Sequence, residues 1–122
     1  MESPQTLGEH IRKKRLATGL LQKDVAKEIG VSEDCITFWE NGRSIPQVRY
    51  YPAIIQFLGY MPFEIAGDTL GGRIRWYRLK QGLSHKRLGK LLSVDASTIR
   101  SWEENVTVPN SKNFKKLKEL IQ

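Results

Sequence analysis

Very little in this chain can perform covalent or redox chemistry. Cysteine occurs once, as Cys35, in 122 residues. A single thiol excludes an intrachain disulfide and leaves no thiolate set for zinc. The two histidines, His10 and His85, stand at no metal or catalytic spacing from Cys35 or from a carboxylate cluster. No nucleophile–base pair is apparent, so an enzyme is not expected and neither is a cofactor or metal. No apolar run approaches the roughly 20 residues that span a bilayer. The N-terminal stretch MESPQTLGEH lacks the basic-then-apolar order of a secretory signal. The expectation is a soluble cytoplasmic binding protein with no membrane contact.

What is present is positive charge, unevenly placed. The net charge is +7. Residues 1–69 carry 8 Lys/Arg against 9 Asp/Glu, a net of −1, whereas residues 70–122 carry 12 against 4, a net of +8. The whole surplus lies in the second half. Such a half suggests a polyanionic partner, most often nucleic acid.

The chain is also written twice. Residues 7–46 and 70–109 align at an offset of 63 with fifteen identical positions, among them Leu7/Leu70, Gly8/Gly71, Ile11/Ile74, Arg15/Arg78, Ile36/Ile99, Trp39/Trp102, Glu40/Glu103 and Pro46/Pro109. A repeat of this length is too long for a solenoid unit and reads as two copies of a small domain. We delimit them as 1–62 and 70–122, joined by a connector at 63–69. The stretch from Tyr60 to Asp68 contains Tyr60, Met61, Phe63 and Ile65, so it reads as a packed strap, not a Gly/Ser linker. Copies of roughly 55–60 residues are marginal alone. They are therefore expected to pack on each other or on a second chain.

The local pattern is all-helical. Thr6 with Glu9 forms a capping box, and Gly19 is a stop signal. A second helix is predicted over Gln22–Ile29, with Gly30 supplying a left-handed turn. Ser32 caps a third helix that turns Ile36 and Trp39 inward. A fourth is predicted over Arg49–Leu58, with Pro52 in its first turn. In copy two, Thr69, Ser84, Asp95 and Ser111 are the expected caps, and Phe114, Leu117, Leu120 and Ile121 the apolar positions of the last helix. Arg15 and Arg78 fall on the buried stripes of their helices. A buried arginine needs a carboxylate, and Glu40 and Glu103, each following a core Trp, are the candidates.

At this point the residues resemble a known family. The runs Gly19-Leu20-Leu21-Gln22-Lys23-Asp24-Val25-Ala26, Ile29-Gly30-Val31-Ser32 and Trp39-Glu40-Asn41-Gly42-Arg43 are similar to the Cro/repressor-type helix-turn-helix of phage repressors and xenobiotic-response-element regulators. Copy two matches through Gly82-Leu83-Ser84-His85-Lys86-Arg87-Leu88, Val94-Asp95, Ile99 and Trp102-Glu103. The resemblance implies two lambda-repressor-like bundles in tandem, each of five helices. The third helix of each would enter the DNA major groove, and an Arg–Glu bridge would join helices one and three. It implies base-facing positions at Glu33, Asp34 and Phe38 in copy one and at Ala96, Ser97, Arg100 and Ser101 in copy two. Backbone contacts fall to Gln22, Lys23, Asn41 and Arg43, and to Ser84, His85 and Lys86.

Both copies depart from the family pattern. Two acids stand on the first recognition face, where they repel phosphate, although acids in a first turn also favour the helix dipole. Copy two replaces Asn-Gly-Arg by Glu104-Asn105-Val106, places Ser93 at the turn glycine and Gly89 at the helix-two alanine. Arg100 is the one long basic side chain on a recognition face, suited to guanine or to a phosphate. Arg73, Arg75, Lys80, Lys86, Arg87 and Lys90 would supply affinity without sequence information.

The expected function is a sequence-specific, double-stranded DNA-binding regulator, a nucleoid-associated repressor that reads an operator with two linked units and has scope to homodimerise. Two different readers would prefer different half-sites, centred about 10 base pairs apart. The alternative is an antitoxin or adaptor in which copy two holds DNA and copy one holds a protein partner or dimerises. The near-neutral first half and Phe38 favour it. Gln22, Asn41 and Arg43 count against it.

Overall fold

The computed structural model describes residues 4–121, and all regular structure among them is helical. The chain divides into two compact units, residues 1–63 and 64–122. Unit one contains α1 (Leu7–Ala17), α2 (Gln22–Ile29), α3 (Glu33–Glu40), a single 3-10 turn (Val48–Tyr50) and α4 (Tyr51–Leu58). Unit two contains α5 (Leu70–Gln81), α6 (His85–Leu92), α7 (Ala96–Glu103) and α8 (Ser111–Ile121). Among the described residues each copy thus has four α-helices and not the five that the resemblance implied. In unit one the stretch expected to be helix from Arg49 onward opens as the 3-10 turn.

The helix ends follow from side chains that satisfy orphan N–H groups. Thr6 accepts from the Glu9 amide and Glu9 reaches back, completing the capping box. Thr69 accepts from Gly72 at 3.0 Å and Ser84 from Arg87 at 3.1 Å. Two expected caps differ. Asp95 stands at the N-cap of α7 but its side chain makes no capping bond. Ser111 is the first residue of α8, and Asn110 does the capping, accepting from the Asn113 amide at 2.9 Å.

Each unit closes on its own core. In unit one Ile11, Val25, Ile36 and Ile54 are fully buried, and Trp39 nearly so. In unit two Ile74, Leu88, Ile99 and Leu117 play those parts beside Trp102. Burying one such aliphatic side chain contributes about 1.5–3 kcal/mol. Phe114, expected on the apolar face of α8, is instead 45% exposed.

A pair of repeated glycines fixes where the third helix of each unit lies. A Cβ on Gly8 would come within 1.8 Å of the Trp39 carbonyl oxygen, and one on Gly71 within 2.5 Å of the Trp102 and Glu103 oxygens. The first helix therefore rests backbone-on-backbone against the end of the third. Substitution at either glycine would push the third helix off its seat.

The two turns between second and third helices solve one problem differently. Gly30 takes φ 89° with no strain, whereas Ser93 is held at φ 59°, in the left-handed region. Copy two also packs this corner more closely. A Cβ on Gly89 would lie 2.5 Å from the Val94 carbonyl oxygen, in the place where copy one accommodates Ala26.

Candidate nucleic-acid interface

The second and third helices of each unit pack directly on each other, α2 on α3 and α6 on α7, with the first helix across the third. Behind this pair lies the expected ion pair. Arg15 donates through Nε and Nη2 to the two Glu40 carboxylate oxygens, at 2.7 and 2.8 Å, and through Nη1 to the Leu20 carbonyl at 3.2 Å. Arg78 repeats the pattern on Glu103 and on the Leu83 carbonyl. The Glu40 and Glu103 side chains are 4% and 5% exposed. Both carboxylates are thus held out of water by an arginine that also ties down the chain leading into the second helix.

A third group joins each pair, and here the copies diverge. In copy one the Gln22 carboxamide donates to Glu40 at 3.2 Å and accepts from the Thr37 hydroxyl at 2.8 Å. Gln22, expected to face DNA, thereby spends its oxygen and one N–H inside the protein. Thr37 was absent from the expected site, although the offset of 63 pairs it with Arg100. In copy two His85 takes the place of Gln22, its Nε2 lying 3.4 Å from Glu103. Burial, and then the Arg78 guanidinium, pull this imidazole below its ordinary range, against the attraction of Glu103; Arg100 adds to the depression.

The remaining sites are exposed to different degrees. On α3 Glu33, Asp34 and Phe38 are exposed, and on α7 Ser97 and Arg100 are, whereas Ala96 and Ser101 are half-buried. Ser101 shares a hydrogen bond of 2.7 Å with Thr107. Lys23, Arg43 and Lys86 stand in solvent, and Ser84 is half-buried at its cap. Beyond α3, Asn41 accepts from the Arg43 amide at 3.0 Å, a local turn that presents the Arg43 side chain outward. Beyond α7 the loop is turned the other way. Asn105, at φ 58°, accepts from the Gly71 amide at 3.1 Å and donates to Thr69. Its neighbour Val106 is 72% exposed. Copy two thus offers no cation at the position of Arg43, and its asparagine holds the start of α5.

The geometry is a helix pair with an open third-helix face, present twice. A family profile for the helix-turn-helix matches residues 11–65 and again residues 74–122. The chain belongs to the helix-turn-helix family. This helix-turn-helix protein carries two tandem copies of the Cro/repressor-type unit, and the family makes it a DNA-binding protein. A curated relative, "Type II methyltransferase M1.ScrFI" of Lactococcus lactis subsp. cremoris, is 32% identical over 97 residues, covering 73% of this chain and 24% of that protein. The helix-turn-helix chain therefore spans about a quarter of that relative's length. No solved structure matches it. Among the described residues no helix is long and apolar enough to cross a membrane, and no three His, Cys, Asp or Glu side chains group as a metal site.

Proposed function

We propose that the protein is a sequence-specific regulator of transcription that represses by occupying a duplex operator, a cytoplasmic and nucleoid-associated role with no catalytic step. The observation that carries this reading is Arg100. It is exposed on the open face of α7 and long enough for a bidentate contact to guanine in the major groove. Ser97, one turn earlier on the same face, suits a base edge or a phosphate. The exposed cations Lys86, Arg87 and Lys90 on α6 would neutralise phosphates beside it. In copy one, Lys23 and Arg43 supply backbone contacts, and Gln22 retains one N–H for a phosphate. Two readers in one chain can occupy two half-sites without a second subunit, although a homodimer would extend the footprint.

A specific observation favours a second reading of copy one. Glu33, Asp34 and Phe38 form an exposed acidic and aromatic face, and the one neutral polar residue of that helix face, Thr37, is turned inward to Gln22. On this reading copy two alone reads bases, and copy one holds a protein partner or dimerises.

Selection from a random duplex pool, followed by a salt titration, tests the proposal. With about four to six phosphate contacts, log K against log salt should fall with a slope of roughly −4 to −5. Two unlike half-sites in the selected sequence support two readers. A single half-site, or a palindrome insensitive to Glu33→Ala and Asp34→Ala, supports the second reading. A flat salt response, or no duplex binding at low salt, rejects both.

A further inference from the structure

The two copies open their second helices with different side chains, and the difference is one N–H. A carboxamide carries two N–H donors and an oxygen. In Gln22 one N–H goes to Glu40 at 3.2 Å, and the oxygen accepts from the Thr37 hydroxyl at 2.8 Å. A second N–H is left for an anion outside. His85 holds the equivalent place as the first residue of α6. Its Nε2 lies 3.4 Å from Glu103 Oε1, and its side chain is 27% exposed. Its Nδ1 has no partner among the described residues and is not sealed from solvent. A neutral imidazole has a single N–H. Placed on Nε2, that N–H serves Glu103 and a lone pair faces outward. Placed on Nδ1, it leaves a lone pair against the carboxylate. Only the imidazolium donates in both directions.

The charges around His85 come from three helices. α5 contributes Arg78, α7 contributes Glu103 and Arg100, and α6 adds the positive end of its own dipole. Both Glu103 oxygens already accept from Arg78. Burial first, and then Arg78, hold the imidazole below 6.5 against the pull of Glu103, and Arg100 adds to this. The corner is therefore rich in positive charge, while the group at its centre stays uncharged at about pH 7. A second anion on the solvent side would reverse that balance, because an opposite charge within ~4–6 Å favours the imidazolium. The exposed Lys86, Arg87 and Lys90, which follow His85 along α6, favour the approach of such an anion.

We propose that copy two takes up one proton from solvent when it binds duplex, His85 becoming an imidazolium that bridges Glu103 on one side and a backbone phosphate on the other. The inference rests on the DNA reading of copy two and adds its regulation. The sign follows from linkage. Phosphate raises the proton affinity of His85 in the complex, so binding is strongest at low pH and weakens as pH rises through the range where the complex still holds the proton and the free protein does not. Copy one has no such dependence at the same place, since Gln22 offers its two N–H groups at every pH. The grip of one unit on the duplex backbone is thus set by pH and that of the other is not.

The test uses the full chain and the duplex selected from the random pool, at fixed salt between about pH 5.5 and 8.5, with binding read by fluorescence anisotropy. Affinity should fall as pH rises, by up to about tenfold per pH unit, the slope of one proton taken up. His85→Gln, which installs the side chain of the first unit, should flatten that slope and keep duplex binding. His10→Gln removes the other histidine and should leave the slope in place. The charge is also read directly in the unaltered chain, so a poorly folded variant cannot mask the result. Saturation with duplex should move the His85 ring nitrogen NMR signals to those of an imidazolium at about pH 7. A flat pH response beside salt-dependent duplex binding overturns the proton uptake and leaves the DNA reading intact. A slope that survives His85→Gln, or ring signals that stay neutral in the complex, does the same. No duplex binding at any pH rejects the DNA reading and the proposal with it.

Discussion

Removing Arg78 while leaving Glu103 is the sharpest perturbation of the scaffold. Arg78 is 6% exposed and makes three hydrogen bonds, two to Glu103 and one to the Leu83 carbonyl. In Arg78→Met the chain keeps similar bulk but strands a carboxylate that is 5% exposed. Breaking a buried pair from one side costs about 3–5 kcal/mol. A small domain has about 5–15 kcal/mol in all, so unit two should be close to unfolding near body temperature. The double variant Arg78→Met with Glu103→Leu should recover most of the loss, because a buried pair replaced by packed apolar groups is often neutral. Copy one supplies the internal control. Arg15→Met leaves Glu40 with the Gln22 amide as a donor at 3.2 Å, whereas Glu103 keeps only the His85 Nε2 at 3.4 Å, and the Arg15 side chain is already 13% exposed against 7% for Arg78. Its cost should be smaller. Thermal melts followed by NMR through the Trp39 and Trp102 indole signals report each unit separately. A loss below about 1 kcal/mol for Arg78→Met, or equal losses in single and double variants, would refute the stranded-carboxylate argument.

Three further outcomes are expected. Ser93→Gly relieves a left-handed serine and should stabilise unit two by about 0.5–1 kcal/mol, net of the freedom glycine gives the unfolded chain, as read by denaturant midpoint. Arg100→Ala should relax base preference at one position of the selected site by about 1–3 kcal/mol and leave the rest unchanged, as read by competition with single-base variants. The imidazoles of His10 and His85 are both held below their ordinary value of 6.5, so the unfolded chain takes up protons that the folded one refuses. Stability should be full above that value and decline as pH falls through the lower folded values; His85→Gln, which installs the residue copy one uses, should flatten part of the decline in melts taken across that range.

Much of this architecture is legible because its signals are periodic or local. Thr6 with Glu9, Thr69 and Ser84 announce helix starts in the residues themselves. Arg15 and Arg78 declare a buried carboxylate by lying on an apolar stripe. The misses are of another kind. Asn110 and Ser111 are adjacent residues of nearly equal capping quality, and only backbone geometry decides between them. Thr37 looks like one more polar residue on a helix face until α2 is docked and Gln22 comes within reach of its hydroxyl. Phe114 keeps helical spacing with Leu117 and yet stays exposed, whereas its counterpart Tyr51 packs on Phe63. The positions on the outer face of each third helix follow from helical spacing alone. Which side chains are free to act is a tertiary matter.

Asn105 has a consequence for anyone who would exchange parts between the copies. In the first unit the corner after α3 is an outward-reaching hand, shaped by Asn41 around its own next residues. In the second the same corner has become a latch, closed on the amide of Gly71 and the hydroxyl of Thr69. A graft of Gly42 and Arg43 onto positions 105 and 106 would give copy two a cation to extend but would open that latch at the entrance to α5. The two loops stand at equivalent positions, yet one reaches outward and the other fastens inward, so neither can borrow the other's specialisation without carrying its anchoring residues along.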